Sequence, residues 1–542
     1  MKLKEKKENR IATFFRSGSE RGAISHADAV TTAESIWCTS VAVCHLPIVA
    51  ADKIVPSFKA MFPDSKIAAS MECRRNKTAR ILSDGLGPHF KREIENEIRN
   101  EALGYTIEID ETTTSKHWRQ LDILVRYFSD KHEKVVVFHL LSITLGRAQA
   151  SVIFDKIRDA VTPLYTRKLL QISSDGPNVM KALHKKVRDE LNPNLIDIST
   201  CNIHKIHNAF SKAYDSFGSD VEDLGIEIYY YFKTSPVRME DFEQVQCQLG
   251  IPQHVFLRHL PTRWLTLEHV TDRLIEQLPA LQKFFTQSTS GNEQRKNNRC
   301  RCIQDILNLN KFLLVEMLFL KSVMGIFAKI LRLLQTEAPL IHILHDEMSK
   351  LTKTLLLRFV KSEFVEDKYG AKLYDIDIEN EEIYMKRCDI GTAAKVLLDS
   401  LVSDEKVTRK ERALFFERTK TFFRDVVKEL LRTLPLKNRL LQDLQFLHPI
   451  SRKSANSVEC VRRTAVTLAL FPRNKIDDVV DEWKVFQCDD IPLESLEQSR
   501  EDPDEYPASE IDEETEDTWM THRIDKFWQG VFKMRHTNGS LK

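Results

Sequence analysis

The sequence predicts an α/β sheet joined to a larger all-α region, and three observations carry that reading. Between Gly104 and Ser199 apolar residues alternate with polar ones or run in short β-rich stretches, as strands do. After Cys201 the strand signal nearly vanishes, and apolar residues recur at three- and four-residue spacing. The chain has 542 residues, too many for a single core and enough for roughly two to four domains.

Residues 1–26 form a basic arm. Its KLKEKKENR and RSGSERG runs lack the long apolar core of a secretory leader and read as a solvated tail or a nuclear-import signal. Residues 27–103 read as a helical region, with Ala33, Ile36, Trp37, Val41 and Cys44 at helical spacing and a charged helix from Phe90 to Leu103. Residues 104–210 hold the sheet. Strands over Tyr105–Asp110, Leu121–Phe128 and Lys134–Ile143 form an antiparallel meander. Helix Ala150–Val161, strand Leu169–Ser173, helix Pro177–Leu191 and a short strand Leu195–Ser199 follow. The order β-β-β-α-β-α-β is that of a mixed sheet with helices on its faces.

Residues 211–450 are too long for a loop and read as a helical insertion. The runs His204–Phe217, Gly225–Phe232, Glu240–Leu249, Thr266–Phe285, Ile303–Leu334 and Pro339–Val360 are expected helices, and Lys361–Lys386 is charged and irregular. Residues 451–498 supply two further helices, 499–518 an acidic linker, and 519–542 an amphipathic piece with Trp519, Phe527, Trp528 and Phe532.

Composition narrows the function classes. Lys+Arg total 80 and Asp+Glu 79, a net charge of +1, which rules out a uniformly basic coat but leaves local patches such as the arm and Arg295–Arg301. The most apolar stretch, Phe312–Leu334, is broken by Glu316, Lys321, Lys329 and Arg332, so no membrane span is expected. The 10 cysteines are scattered, which favours free thiols in a reducing compartment, and none has zinc-finger spacing, so no structural zinc is expected.

Three groups could carry chemistry. Asp110 and Asp175 end the first and fourth strands and lie side by side if those strands are neighbours. Paired carboxylates hold hard divalent cations, although each Asp also suits a turn. Cys201 and His204 share a face at a helix start. Two ligands do not close a zinc site, and a buried Cys with a satisfied His is the plainer reading. Arg263 and Trp264 could clamp a phosphate and stack on a base, or simply anchor a helix.

As an ordered set, these pieces resemble the hAT superfamily of DNA transposases and their domesticated descendants. The segments are Tyr105-Thr-Ile-Glu-Ile-Asp110-Glu-Thr-Thr, Leu121-Asp-Ile-Leu-Val-Arg126-Tyr127, Ser173-Ser-Asp175-Gly-Pro-Asn-Val-Met180, Cys201-Asn-Ile-His204 and Thr262-Arg263-Trp264. Phe62-Pro-Asp-Ser65 and Cys73-Arg-Arg-Asn-Lys77 are similar to the leader of the same group. The resemblance implies an RNase H-like catalytic domain split by a helical insertion. It implies that Asp110 and Asp175 are metal-binding catalytic acids for Mg²⁺ or Mn²⁺, that Cys201 and His204 form a motif near the active site, and that Arg263 and Trp264 contact DNA. The family's third acid, a Glu in an Asn-Ala-x-x-Glu-Arg motif, is absent, as are the dimerisation segment and the BED-type finger. Glu459 and Glu482 do not lie in the matching motif. The implied protein is nuclear, transposase-derived and nucleic-acid- or chromatin-associated, without catalysis. It is also expected to lack a covering helix on one face of the sheet, leaving apolar surface there, and its oligomerisation is doubtful. An active transposase and a protein-interaction scaffold acting through the helical insertion are the alternatives.

Overall fold

A computed structural model describes residues 25–114, 117–146, 149–176, 178–196, 198, 200–260, 265–287, 298–469, 472–489 and 523–533. The N-terminal region holds α1 (His26–Val43), α2 (Ala51–Met61), α3 (Lys66–Ser70), α4 (Arg75–Arg80), a π-helical turn (Ile81–Leu86) and α5 (Gly87–Asn100). Trp37, Cys38, Val41, Val55, Met71 and Cys73 form its small core. Ser25 and Ser65 start α1 and α3 by accepting a backbone N–H with the side chain, the usual N-cap device.

The sheet follows as β1 (Tyr105–Thr113), β2 (Arg119–Ser129), β3 (Lys134–Leu145), α6 (Ala150–Val161), β4 (Leu169–Ser174) and α7 (Asn178–Glu190). The strand order is β3-β2-β1-β4, antiparallel except for the parallel β1–β4 pair. Tyr105, Ile107, Ile109, Leu121, Ile123, Val125 and Tyr127 alternate onto one face and are buried with residues of α6 and α7. Gly104 admits β4 at the start of β1: a Cβ there would fall 2.7 Å from the Leu170 side chain.

Two expectations need correction. Asp110 does not close the first strand, because β1 keeps pairing with β2 as far as Thr113↔Arg119. The short strand over Leu195–Ser199 is not formed by the described residues, although Ile196 N–H donates to Leu170 C=O (2.8 Å) and Cys201 N–H to Ser174 C=O (2.8 Å). These bonds hold Ile196 and Cys201 against the outer edge of β4.

The opposite face of the sheet, expected to expose apolar surface, is mixed: Leu124, Phe128, Val135 and Val137 lie on it beside polar residues, and Phe128 is 37% exposed. Alternation places Thr106, Glu108, Asp110, Gln120, Asp122, Arg126, His139 and Ser142 on it. Ser142 donates to Asp122, and His139 Nε2 lies 2.7 Å from Ser142 Oγ.

The helical region comprises α8 (Asn202–Phe217), α9 (Asp220–Lys233), α10 (Pro236–Leu249), α11 (Leu265–Gln287), α12 (Asn298–Leu309), α13 (Leu313–Leu334), α14 (Ile341–Leu356), α15 (Thr392–Ser403), α16 (Arg409–Thr433) and α17 (Arg439–Asp443). One continuous core runs from Ile206 to Leu441. Phe217 packs its ring 5.0 Å from Phe319 in a tilted contact and 5.9 Å from Phe422 edge-on, a geometry that aromatic quadrupoles favour. The expected helix Ile303–Leu334 is two helices, because the Asn310 side chain accepts the Phe312 N–H (2.8 Å) and restarts the chain. The charged stretch Lys361–Lys386 is short 3₁₀ turns tied down by a lone bridge between Val360 and Tyr384.

Next come α18 (Ser457–Leu468), α19 (Ile476–Cys488) and α20 (Ile524–Lys533). α20 returns to the sheet at the edge strand β3. Arg523 donates to Val135 C=O (2.9 Å) and Asp525 accepts Val135 N–H (2.6 Å), so an ion pair occupies the edge where another strand would otherwise add. No helix among the described residues is long and apolar enough to cross a membrane. The acidic linker and Trp519 lie outside the described residues.

Candidate active site at the β1–β4 strand ends

The parallel register sets Ile109 opposite Ser174. Asp110 and Asp175 are therefore the next pair along, on the same face, about 5 Å apart at the backbone, the spacing of adjacent strands. β4 stops at Ser174 while β1 continues along β2, so the pair stands where the sheet opens a step.

Asp175 is half-buried, and one of its carboxylate oxygens is buried without a hydrogen-bond partner. Burial holds its carboxyl above the usual range. His204 pulls the other way, and the neighbouring Asp110 charge adds to the rise. A carboxylate kept ionisable beside another, with an unfilled acceptor oxygen, suits a cation. Two hard oxygen donors of this kind are what Mg²⁺ or Mn²⁺ take. Even so, among the described residues no group of three or more His, Cys, Asp or Glu is arranged to hold a metal ion.

Cys201 and His204 reach the same place through the backbone. The Cys201 N–H bond to Ser174 docks the start of α8 onto the end of β4, and the Cys201 carbonyl accepts from Lys205 in the first helical turn. Burial would push the Cys201 thiol up, but its hydrogen bond with His204 and the backbone N–H groups of His204 and Ile203 outweigh burial, and the thiol sits below its ordinary value. His204 is raised by the Cys201 hydrogen bond, against burial, with Asp175 and Asp110 adding. A helix N-terminus favours a thiolate in the same sense. The arrangement pairs a thiol held low with an imidazole held high, and the imidazole is also raised by the two neighbouring carboxylates.

The structure thus brings together four of the sequence-predicted residues: Asp110, Asp175, Cys201 and His204. Arg263 and Trp264, the remaining two, lie outside the described residues. Sequence reasoning misses Asp122, which register places directly across from Asp110 on β2. The only signal for it is its place in the Leu121-Asp-Ile alternation, which reads equally well as a wet strand face. Asp122 is already engaged by Gln120 (2.9 Å) and Ser142, so it is not an open ligand. Glu108, one step back on the same face, is paired with Arg126 (3.6 Å), and Arg126 also donates to the Glu337 carbonyl (3.0 Å), pinning the helical region to the sheet. Glu459 is engaged with Arg462 and Arg463 on its own helix.

No protein-family model matches this chain, and no curated protein matches it.

Proposed function

We propose that this chain is a transposase-derived protein of the hAT type, with an RNase H-like sheet interrupted by the helical region, and that it associates with nucleic acid or chromatin in the nucleus without cutting strands. The observation that carries the reading is the parallel β1–β4 register, which sets Asp110 beside Asp175 on one face. It is supported by Cys201 and His204 docked at the same strand end, and by the return of the chain to the sheet at α20 after the helical block.

In this reading Asp110 and Asp175 would hold Mg²⁺ or Mn²⁺, which supplies charge stabilisation at a phosphodiester. Asp175 offers its unfilled oxygen toward the cation. His204, tied to Cys201, holds a proton more readily than an ordinary imidazole, and when protonated it limits the mutual repulsion of the two acids. With Asp122 engaged by Gln120 and Ser142, the described residues offer two open carboxylates to this place, and phosphoryl transfer depends on holding both metals and the reacting oxygens in fixed positions. Two carboxylates leave that cage short of a charge, so binding without cleavage follows. Arg263 and Trp264 are the proposed contacts to phosphate and base.

Electrophoretic or fluorescence titration with double-stranded and hairpin DNA tests this. Phosphate contacts release counterions, so the affinity falls steeply as salt rises. Salt-independent binding, or none, would leave the helical region as a protein-interaction scaffold instead.

A further inference from the structure

A groove of about 510 Å³ lies between α5 and the β2–β3 hairpin, away from the acid pair. Its floor is apolar. Phe90 and Ile94, one helical turn apart, line it together with Phe138 of β3, and Phe90 is 41% exposed. Its helix side is acidic, with Glu93, Glu97 and Glu101 following at four-residue intervals. Glu97 is taken up by the Tyr127 and Ser129 hydroxyls, whereas Glu93 and Glu101 stand exposed. Lys131 and His132 of the hairpin turn form the other lip.

α20 ends beside that lip. Lys533 pairs with Glu133, the residue next to His132, and Lys533 and Gln529 together hold the Glu133 carboxyl below its usual range. Phe532 is 66% exposed at the same helix end. The segment that continues from there, Met534-Arg-His-Thr-Asn-Gly-Ser-Leu-Lys542, has apolar Met534 and Leu541, cations at Arg535 and Lys542, and no acid. Nine residues span up to about 30 Å when extended, more than enough to lie along two turns of helix.

We propose that residues 534–542, which lie outside the described residues, dock in this groove, with Met534 on the Phe90–Ile94–Phe138 floor and Arg535 against Glu93 and Glu101. The cations of the segment suit the acidic helix side, and the point at which α20 delivers it, beside the Lys131–His132 lip, favours it over the basic N-terminal arm. The contact would fasten the last helix to the N-terminal helical region across the β2–β3 hairpin.

Hydrogen exchange on the full chain tests the proposal. Arg535→Glu should speed exchange over residues 90–101 by about fivefold, the scale of one partly exposed ion pair. Glu93→Lys with Glu101→Lys should do the same. Both acids are exposed, so the fold survives, and unchanged exchange in β1–β4 checks that. Combining the three changes should restore protection, which a merely structural role of α5 would not do. The proposal is overturned if Arg535→Glu leaves 90–101 unchanged, or if the triple variant is no better than its parents. It is equally overturned if protection follows charge reversal in residues 1–24, or protein concentration, since the occupant is then the N-terminal arm or a second copy.

Discussion

Replacing Asp110 by Asn should stabilise the sheet. Two carboxylates about 5 Å apart repel by about 3 kcal/mol at an effective dielectric of ~20 and by about 1 kcal/mol in water. Asp110 is exposed, so the lower figure applies, about 1 kcal/mol or roughly fivefold in local opening. Asp175→Asn removes the same repulsion together with the half-buried charge, so it should gain at least as much. The double variant should gain less than the sum, with a coupling of about 1 kcal/mol, because the repulsion can be removed only once. Hydrogen exchange of β1 and β4 amides in the four proteins reads the cycle at pH 7. The sign with pH is fixed by the raised Asp175 carboxyl: the folded state holds its proton more tightly than the unfolded one. That site therefore favours folding at low pH and opposes it as pH rises through the carboxylate range. The gain from Asp175→Asn should vanish by about pH 3, below the ordinary Asp range. Additive effects at pH 7, or a destabilising Asp110→Asn, would refute the side-by-side placement.

Two further outcomes follow. Alkylation of Cys201 by iodoacetamide, read by mass spectrometry, should rise at lower pH than that of an ordinary thiol, and His204→Gln should move the rise back up; an unchanged profile in His204→Gln would remove the pairing. His342 is 5% exposed, and burial with the nearby His448 lowers it to about 4, so its neutral form is folded-state favoured; about 3 kcal/mol should be lost between pH 6.5 and 4, and an acid melt of His342→Leu should not show that loss.

Much of the arrangement is legible in the amino-acid pattern, for a physical reason. Strand alternation fixes which face a residue takes, so Asp110 and Asp175 can be matched as same-face residues before any pairing is known. Their adjacency is not encoded locally: it depends on β4 crossing over to lie parallel to β1, and the register of Ile107 with Ile172 and Ile109 with Ser174 decides it. Leu195-Ile-Asp-Ile-Ser199 shows the opposite failure. Its pattern suits a strand, but its described residues meet the outer edge of β4 through one backbone bond, from Ile196 N–H to Leu170 C=O. Asp122 is hidden because its importance lies in register, which a single strand does not contain. The break at Asn310 is a side-chain cap inside an unbroken apolar run, a place where local hydrogen bonding overrides periodicity. The edge contact of Arg523 and Asp525 with Val135 joins residues almost four hundred positions apart, beyond the reach of any window.

The central claim is that Asp110 and Asp175 form a transposase-derived acid pair that no longer cuts DNA. It is tested most directly by incubating the full chain with hairpin and terminal-repeat DNA in Mg²⁺ or Mn²⁺ and following strand cleavage and transfer on denaturing gels. The account predicts retained DNA binding with no cleavage above background, and no difference in that respect between the natural chain, Asp110→Asn and Asp175→Asn. Metal-dependent cleavage by the natural chain that disappears in Asp110→Asn would contradict it.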